Sequence, residues 1–345
     1  MRILFILGLY RPGKCGISDY VRLLIEQLEL LGHGCSMINI NSGIESSLDK
    51  ITESLLKCDV VSLQFAPYSF HPKGLPGKEL QMLGKALAGY HLHVMFHEIW
   101  IGAYPNATFY ERWIGKCQRE QIIRFLTIAK PYAIQATNSA ALDRLNQMGI
   151  NASYLYLFGN IPWAKDHLSK IHSDRLIKVA FFGTPYSSFP YDLLVNKLNK
   201  EFIELKKEWK IKVIGNIRDN KGLKKLVKVA GKCGIIVEET GMIETEEVSY
   251  ELQSANYGVA TTPYDVLGKS GSVAAMLEHR LPVYVYDDGD TPSKKIITFV
   301  PFRNQIFILN KRVDMEGAIK ALKKERKNFF NGVVYTTDKF LEAMR

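Results

Sequence analysis

Residues 261–283 read TTPYDVLGKSGSVAAMLEHRLPV. The β-like run Tyr257 to Thr261 ends in a loop, Ser270 to His279 carries a helical pattern, and Pro282 leads into a second β-like run, Val283 to Tyr286. Strand, loop, helix and strand in that order form the repeating unit of a parallel sheet. The loop chemistry suits an anion. Lys269 supplies charge, Ser270 and Ser272 supply hydroxyls and helix-capping oxygens, and Gly271 lets successive N–H groups converge on one ligand. Ala274 and Ala275 are small enough to let the helix approach the sheet closely. A diphosphate cradle is one reading; a capped helix with a surface lysine is the other, because Gly-Lys-Ser-Gly-Ser lacks the preceding glycine of a Walker loop.

The same alternation extends in both directions. Downstream of residue 178, β-like runs fall at Val179 to Phe182, Ile211 to Ile214, Gly234 to Val237, Tyr257 to Thr261, Val283 to Tyr286 and Gln305 to Leu309, with a helical pattern over Tyr191 to Trp209. Upstream they fall at Ile3 to Leu9, Ser36 to Ile40, Val60 to Gln64, His93 to His97, Ala133 to Thr137 and Ser153 to Phe158. The first helix is predicted over Ser18 to Leu31, where Tyr20, Leu23, Leu24, Leu28 and Leu31 recur at helical spacing; Ser18 and Asp19 are its expected caps and Gly32 its stop. The polar stretch Ala164 to Lys178 reads as a linker. A chain of 345 residues holds two α/β domains of roughly 150 residues each. The expected fold is therefore α/β with two Rossmann-like parallel-sheet domains facing a central cleft. The domains are residues 1–163 and 178–325, joined by a linker at 164–177. A helical tail at 326–345 is placed to pack back on the N-terminal domain.

Composition narrows the functional classes. A 47% hydrophobic and 23% charged chain with 11% aromatic residues builds a core rather than remaining disordered. The start, MRILFILGLYRPGKCG, lacks the long apolar region and cleavage site of an export signal, and no run of about 18 apolar residues suggests a membrane span. The five cysteines are scattered without C-x-x-C or Cys/His spacing, which points to reduced thiols, a cytoplasmic setting and no zinc site. A net charge of +10, with clusters such as Lys206-Lys207 and Lys221 to Lys228, attracts polyanions. A phosphorylated substrate and an anionic membrane surface both satisfy it. Nucleic acid ranks last, because no finger, RNP-like or basic-zipper pattern accompanies the charge, and no nucleic-acid partner is expected.

Two further loops carry candidate chemistry. In Arg11-Pro12-Gly13-Lys14-Cys15-Gly16-Ile17-Ser18-Asp19-Tyr20, glycines sit between a strand end and a helix start, where Gly16 would let a diphosphate meet free N–H groups; a tight turn without a ligand explains the same residues. The run His93 to Phe96 ends in His97-Glu98, an imidazole and a carboxylate at the sheet edge where open α/β folds bind ligands. A histidine bonded to a loop carbonyl is the plainer account of His97.

In their order along the chain these segments resemble the retaining GT-B glycosyltransferases, the large family that includes mannosyl- and glucosyltransferases of bacterial surface polysaccharides. Gly16-Ile17-Ser18-Asp19-Tyr20-Val21 is similar to that family's Gly-Gly-x-x-x-Tyr/His loop, with Cys15 replacing one glycine. Gly32-His33, His97-Glu98, Asn138-Ser139, Gly159-Asn160-Ile161-Pro162, Phe182-Gly183-Thr184, Gly215-Asn216, Gly241-Met242-Ile243 and Leu277-Glu278-His279-Arg280-Leu281-Pro282-Val283 follow in the family's order. The resemblance covers roughly residues 1–285. It implies His97 and Glu98 as catalytic residues, with His97 lining the donor sugar. The donor diphosphate is assigned to Gly16, Gly183, Thr184, Lys269, Ser270, Gly271 and Ser272, and the nucleoside to Gly215, Asn216, Gly241, Met242 and Glu247.

The implied activity is transfer of a hexose, with retention, from a UDP-, GDP- or ADP-sugar to a glycan or lipid-linked acceptor. The implied setting is the cytoplasm, peripheral on the inner membrane face. No cofactor beyond the donor is expected, and no D-x-D-type motif calls for a metal. Two features depart from the family. Its E-x7-E pair would fall on Leu267 and Ala275, and Thr184 to Tyr191 holds neither the usual Arg nor the Lys. Lys269 is then the substitute cation, and Glu278 faces either ribose or solvent. The alternatives are a GT-B sugar-nucleotide epimerase or inverting transferase with Glu98 as base, and a non-catalytic sugar-nucleotide-binding scaffold. Donor consumption separates them, since transfer needs an acceptor, epimerisation does not and a scaffold consumes nothing.

Overall fold

A computed structural model of the chain describes residues 1–345 except 14, 41–42, 105–106, 165–175, 218, 288–299 and 311–329. The expected linker and the beginning of the expected tail lie mostly outside the described residues. Two compact units emerge. One comprises Met1–Leu157 with Val333–Arg345, and the other draws its described residues from Phe158 to Gly332.

The first unit runs β1 (Arg2–Leu7), α1 (Gly16–Leu30), β2 (Gly34–Asn39), α2 (Leu48–Leu55), β3 (Val60–Phe65), α3 (Pro67–Phe70), α4 (Gly77–Leu87), β4 (Leu92–Phe96), α5 (Phe109–Ala129), β5 (Ala133–Ala136), α6 (Ser139–Asn146) and β6 (Ser153–Tyr154). Its six strands are all parallel, in the order β2-β1-β3-β4-β5-β6. Strand side chains alternate between faces. Leu4, Ile6, Val61, Leu63, Phe65, Val94 and Phe96 pack on one face with Ile51, Leu83, Ile122, Phe125 and Leu145 from α2, α4, α5 and α6. The other face carries Phe5, Ser62, Gln64, His93 and Gln135. The last helix, α11 (Gly332–Ala343), sets Phe340 against Phe5 and His93, and α1 sets Tyr20 edge-on against His97.

The second unit runs β7 (Leu176–Phe182), α7 (Tyr191–Glu204), β8 (Glu208–Ile214), α8 (Lys221–Lys232), β9 (Val237–Glu239), α9 (Thr245–Ser254), β10 (Tyr257–Val259), α10 (Gly271–Glu278), β11 (Val283–Val285) and β12 (Ile306–Ile308). Its parallel sheet has the order β12-β11-β10-β7-β8-β9. In both sheets the connection reverses direction once, between β1 and β3 in the first and between β7 and β10 in the second. Side loops diverge there and leave a crevice outside the carboxyl ends of the strands.

Local chemistry moved several expected boundaries. α1 begins at Gly16, with Cys15 at its N-cap and no side-chain cap. Ser18 and Asp19 serve the preceding loop instead: Ser18 Oγ accepts from Arg11 N at 2.8 Å and Asp19 Oδ1 from Gly13 N at 2.7 Å. A loop folded this tightly has its own N–H groups to satisfy, and the first-turn side chains are the nearest acceptors. α7 stops at Glu204 because Lys206 adopts a left-handed conformation, φ 54°, which sends Trp209 into β8 against Phe202. β9 starts at Val237 rather than Gly234, whose φ of 70° still belongs to the turn that closes α8. β6 is only two residues long, Ser153–Tyr154.

Candidate active site

At the reversal point of the second sheet, a cavity of about 370 Å³ opens outside the ends of β7 and β10. Gly183, Thr184 and Tyr186 line it from the loop after β7, Thr261 and Thr262 from the loop after β10, and Ser270 and Ser272 from the start of α10. Gly183 has φ 85°, a conformation that costs a side-chain-bearing residue, and its N–H reaches across to Ile214 O at 3.0 Å. Ser270 is the N-cap of α10: its Oγ accepts from Val273 N at 3.4 Å and lies 3.1 Å from Ser272 Oγ. Thr262 Oγ1 donates to Ser270 Oγ at 3.5 Å, and Thr261 Oγ1 accepts from Tyr186 N at 3.0 Å. The N–H groups of Gly271 and Ser272, at the first two helical positions, have no acceptor within their own helix and carry its positive dipole end. Hydroxyls and helix N–H groups together make an anion-accepting surface.

Of the expected diphosphate residues, this cavity gathers Gly183, Thr184, Ser270 and Ser272. Lys269 is not among its lining; it ends the 3-10 turn Tyr264–Lys269 and is exposed. The only charged side chain in the described lining is Asp219. Tyr186, 51% exposed, and Asp219 line the cavity and were not among the residues expected from the sequence. A Tyr set among small residues directly after Gly183-Thr184-Pro185 was the available signal for the first. Gly271, the first residue of α10, is not in the lining either, and Gly16 lies in the first unit as the exposed first residue of α1, with open space where a side chain would be.

Four of the expected nucleoside residues follow the ends of β8 and β9 and the fifth, Glu247, lies in α9; none is in the lining of this cavity. Gly215 (φ 99°) and Gly241 (φ 66°) form an antiparallel bridge, and Gly215 N donates to Thr240 Oγ1 at 3.0 Å. Asn216 is exposed and Met242 is 86% exposed. Glu247 is committed to helix α9: in a capping box with Glu244, its Oε2 accepts from Glu244 N at 3.3 Å. Glu278 is bonded to the backbone of a neighbouring segment rather than left to solvent. Its Oε1 accepts from Gly159 N at 2.8 Å. Gly159 is pressed so closely on α10 that a Cβ would lie 2.6 Å from Ala275 Cα. The 158–160 segment thus runs directly against α10 at Ala275, the position where the resemblance led us to expect an acid. His279 is also structural: Nδ1 donates to Ala275 O at 2.7 Å, Nε2 accepts from Ser249 Oγ at 2.8 Å, and Trp163 stacks on the ring at 5.3 Å. Burial lowers its pKa to about 4.

In the first unit, His97 follows β4 beside the reversal point. It is 4% exposed, its Nε2 lies 2.8 Å from Gln64 Oε1, and Tyr20 meets its ring edge-on at 5.2 Å. Burial, and then the neighbouring His93, lower its pKa to about 3, so the ring is neutral near pH 7. The partner of His97 is thus a side-chain amide on β3 rather than a loop carbonyl. Glu98 is exposed one residue further on. Asn138 caps α6, its Oδ1 accepting from Ala141 N at 2.9 Å. Among the described residues no three His, Cys, Asp or Glu side chains group as metal ligands, and no helix is long and apolar enough to cross a membrane.

No protein-family profile matches the chain, and no curated protein matches it. Solved structures do. A glycosyltransferase from Rickettsia africae ESF-5 aligns over 100% of this chain and 97% of its own, with a TM-score of 0.59 at 12% identity. Anabaena Alr3699/HepE in complex with UDP aligns over 100% and 99%, with a TM-score of 0.57 at 14% identity. A Listeria monocytogenes protein provisionally described as a UDP-N-acetylglucosamine 2-epimerase aligns over 100% and 95%, with a TM-score of 0.54 at 11% identity. At such identities the likeness establishes the fold. The chain has the GT-B architecture, α/β with two six-stranded parallel sheets.

Proposed function

We propose that this chain is a GT-B glycosyltransferase that moves a hexose from a nucleoside diphosphate sugar to a glycan or lipid-linked acceptor, with retention, in bacterial polysaccharide or glycoconjugate synthesis. The observation that carries the reading is the hydroxyl-lined cavity at the reversal point of the second sheet, at the N-terminus of α10. A diphosphate fits that chemistry. As the glycosidic bond breaks, negative charge grows on the leaving phosphate oxygen. Fixed N–H dipoles and the hydroxyls of Thr184, Ser270 and Ser272 stabilise that charge more in the transition state than in the ground state. The reading needs no metal, and EDTA is expected to leave turnover intact. His97, neutral and buried, orients the transferred sugar. The UDP in the HepE complex supports a uridine donor as the first to try. Ligands that bind only the folded state raise its melting temperature. In a thermal-shift screen of UDP, GDP, ADP and their sugars, one nucleotide is expected to raise Tm by several degrees, and a flat response to all of them refutes the proposal.

The likeness to the Listeria protein keeps epimerisation as a second reading. Conversion of a UDP-sugar to its epimer without any acceptor would establish it in place of transfer. For the acceptor side, we propose a cytoplasmic protein that works on an anionic membrane surface. Along α5, Phe109 (87% exposed), Tyr110 (66%) and Trp113 (52%) occupy the first turns, followed further along the helix by exposed Lys116, Arg119, Glu120 and Arg124. Aromatic residues with a basic neighbourhood suit an interface of anionic headgroups and acyl chains. Cosedimentation with vesicles containing about one third phosphatidylglycerol is expected to fall at least fivefold in a Phe109→Ser/Trp113→Ser variant. Equal sedimentation of both proteins removes α5 from the membrane.

A further inference from the structure

Strands buried on both faces of a parallel sheet ordinarily present a continuous apolar run. The first sheet departs from this on one face, and the departures join up. His97 Nε2 lies 2.8 Å from Gln64 Oε1, and Gln64 Nε2 donates to Ser62 Oγ at 2.8 Å. Ser62 Oγ lies 2.9 Å from His93 Nδ1, His93 Nε2 lies 3.1 Å from Gln135 Oε1, and Gln135 Nε2 donates to Ser153 Oγ at 3.2 Å. Ser62, Gln64, His93, His97 and Gln135 are each at most 4% exposed. Phe340 of α11 covers the middle of the row, edge-on to His93 at 5.1 Å.

A carboxamide accepts at one end and donates at the other, and a neutral imidazole does the same. Gln64, which donates to Ser62 through Nε2, must accept from His97 through Oε1; the proton of His97 is then on Nε2. Gln135, which donates to Ser153 through Nε2, must accept from His93 through Oε1, so neutral His93 has a bare Nδ1 to which Ser62 Oγ donates. His93 therefore carries its proton on Nε2 and donates to Gln135, which donates onward to Ser153. Every link points the same way, from β4 outward to β6. Reversing one means turning both amides and moving the proton to the other nitrogen of both rings together, inside a packed sheet.

We propose that this row of side chains is a positioning relay that holds His97 as its Nε2–H tautomer, leaving the Nδ1 lone pair to accept a hydrogen bond from a hydroxyl of the transferred sugar. The sugar-facing part rests on the function proposed above; the relay does not. Burial supports it, because both rings resist the second proton that would make them donors at each nitrogen. Gln64, Ser62, His93 and Gln135 act through His97, so they are positioning residues rather than catalytic ones.

Long-range 1H–15N spectra of the full chain labelled with 15N-histidine read the tautomer directly, with His97 assigned by its loss in His97→Asn. At pH 7.5 both His93 and His97 are expected to show a protonated Nε2 and a bare Nδ1. A proton on Nδ1 of His97 overturns the proposal, and this wild-type measurement decides it even if no variant folds. Ser62→Ala removes a link that does not touch His97. It is expected to leave His97 a mixture of tautomers and to cut kcat for UDP-glucose turnover about tenfold while UDP binding stays within twofold, with Ser62→Thr restoring both. An unchanged tautomer and kcat in Ser62→Ala likewise overturn the relay. Adding UDP-glucose then tests the functional reading separately. A larger Nδ1 shift than UDP alone produces supports the sugar contact, and an equal shift removes that contact while leaving the tautomer result intact.

Discussion

On one face of the first sheet the polar side chains are buried and bonded to one another; at the carboxyl edge of the second they are hydroxyls facing an open cavity of about 370 Å³. The contrast separates two tasks. A dry, fully bonded network holds a ring in one orientation and one protonation state, at the expense of adaptability. Hydroxyls that rotate, beside helix N–H groups that keep their partial positive charge, accept an anion without demanding one exact geometry. The first arrangement suits the recognition of a neutral hydroxyl group, the second that of a diphosphate.

Acid gives the largest expected effect. Folded His93 and His97 have pKa values lowered to about 3, and His279 in the second unit to about 4, from an ordinary 6.5. The unfolded chain takes up protons where the folded one does not, so stability is complete above about pH 6.5 and falls as pH drops from there toward the folded values. At pH 5 the loss is about 2 kcal/mol for each buried histidine, hence roughly twice as large in the first unit as in the second. Hydrogen exchange at pH 5 is expected to release the amides of β3 and β4 before those of β7 and β10; the opposite order breaks the contrast.

Next in size, His97→Ala is expected to lower turnover about a hundredfold, or about 2.7 kcal/mol of transition-state stabilisation, while leaving UDP affinity within twofold by calorimetry. An active variant would take the orienting task away from the first sheet. The smallest effects concern the cavity. A lost hydrogen bond to a charged ligand costs about 1.5 kcal/mol, so Ser272→Ala is expected to weaken UDP binding about tenfold and Lys269→Ala less than threefold. If Lys269→Ala proves the more damaging, the anion is held by the lysine and not by the hydroxyls.

Strand-end loops were legible because they combine residues that conflict with their surroundings. Gly183-Thr184 after an apolar run and Ser270-Gly271-Ser272 before a helical one announce a backbone that turns and a helix that begins, and both line the cavity. Lys269 shows the limit of that reasoning. One residue from a capping serine, it ends a 3-10 turn, is exposed and is absent from the cavity lining, because sequence adjacency does not fix which way a side chain leaves a turn. Glu247 and Glu278 show another. Each carboxylate found a backbone N–H close by, Glu244 and Gly159 respectively, before any ligand could claim it. Ser62, Gln64, His93 and Gln135 were read as parts of apolar runs, since their pairing depends on register between strands far apart in sequence.

Alternating apolar runs, helical spacing and glycine punctuation were enough to determine two parallel-sheet units, because those signals act over a few residues and depend only on backbone geometry and burial. Tertiary structure alone decided which polar side chains face a cavity, which close on a neighbouring backbone and which link up across strands. Hydrogen bonds are short and directional, so their partners are chosen by packing at the scale of an ångström, a distance that spacing along the chain does not encode.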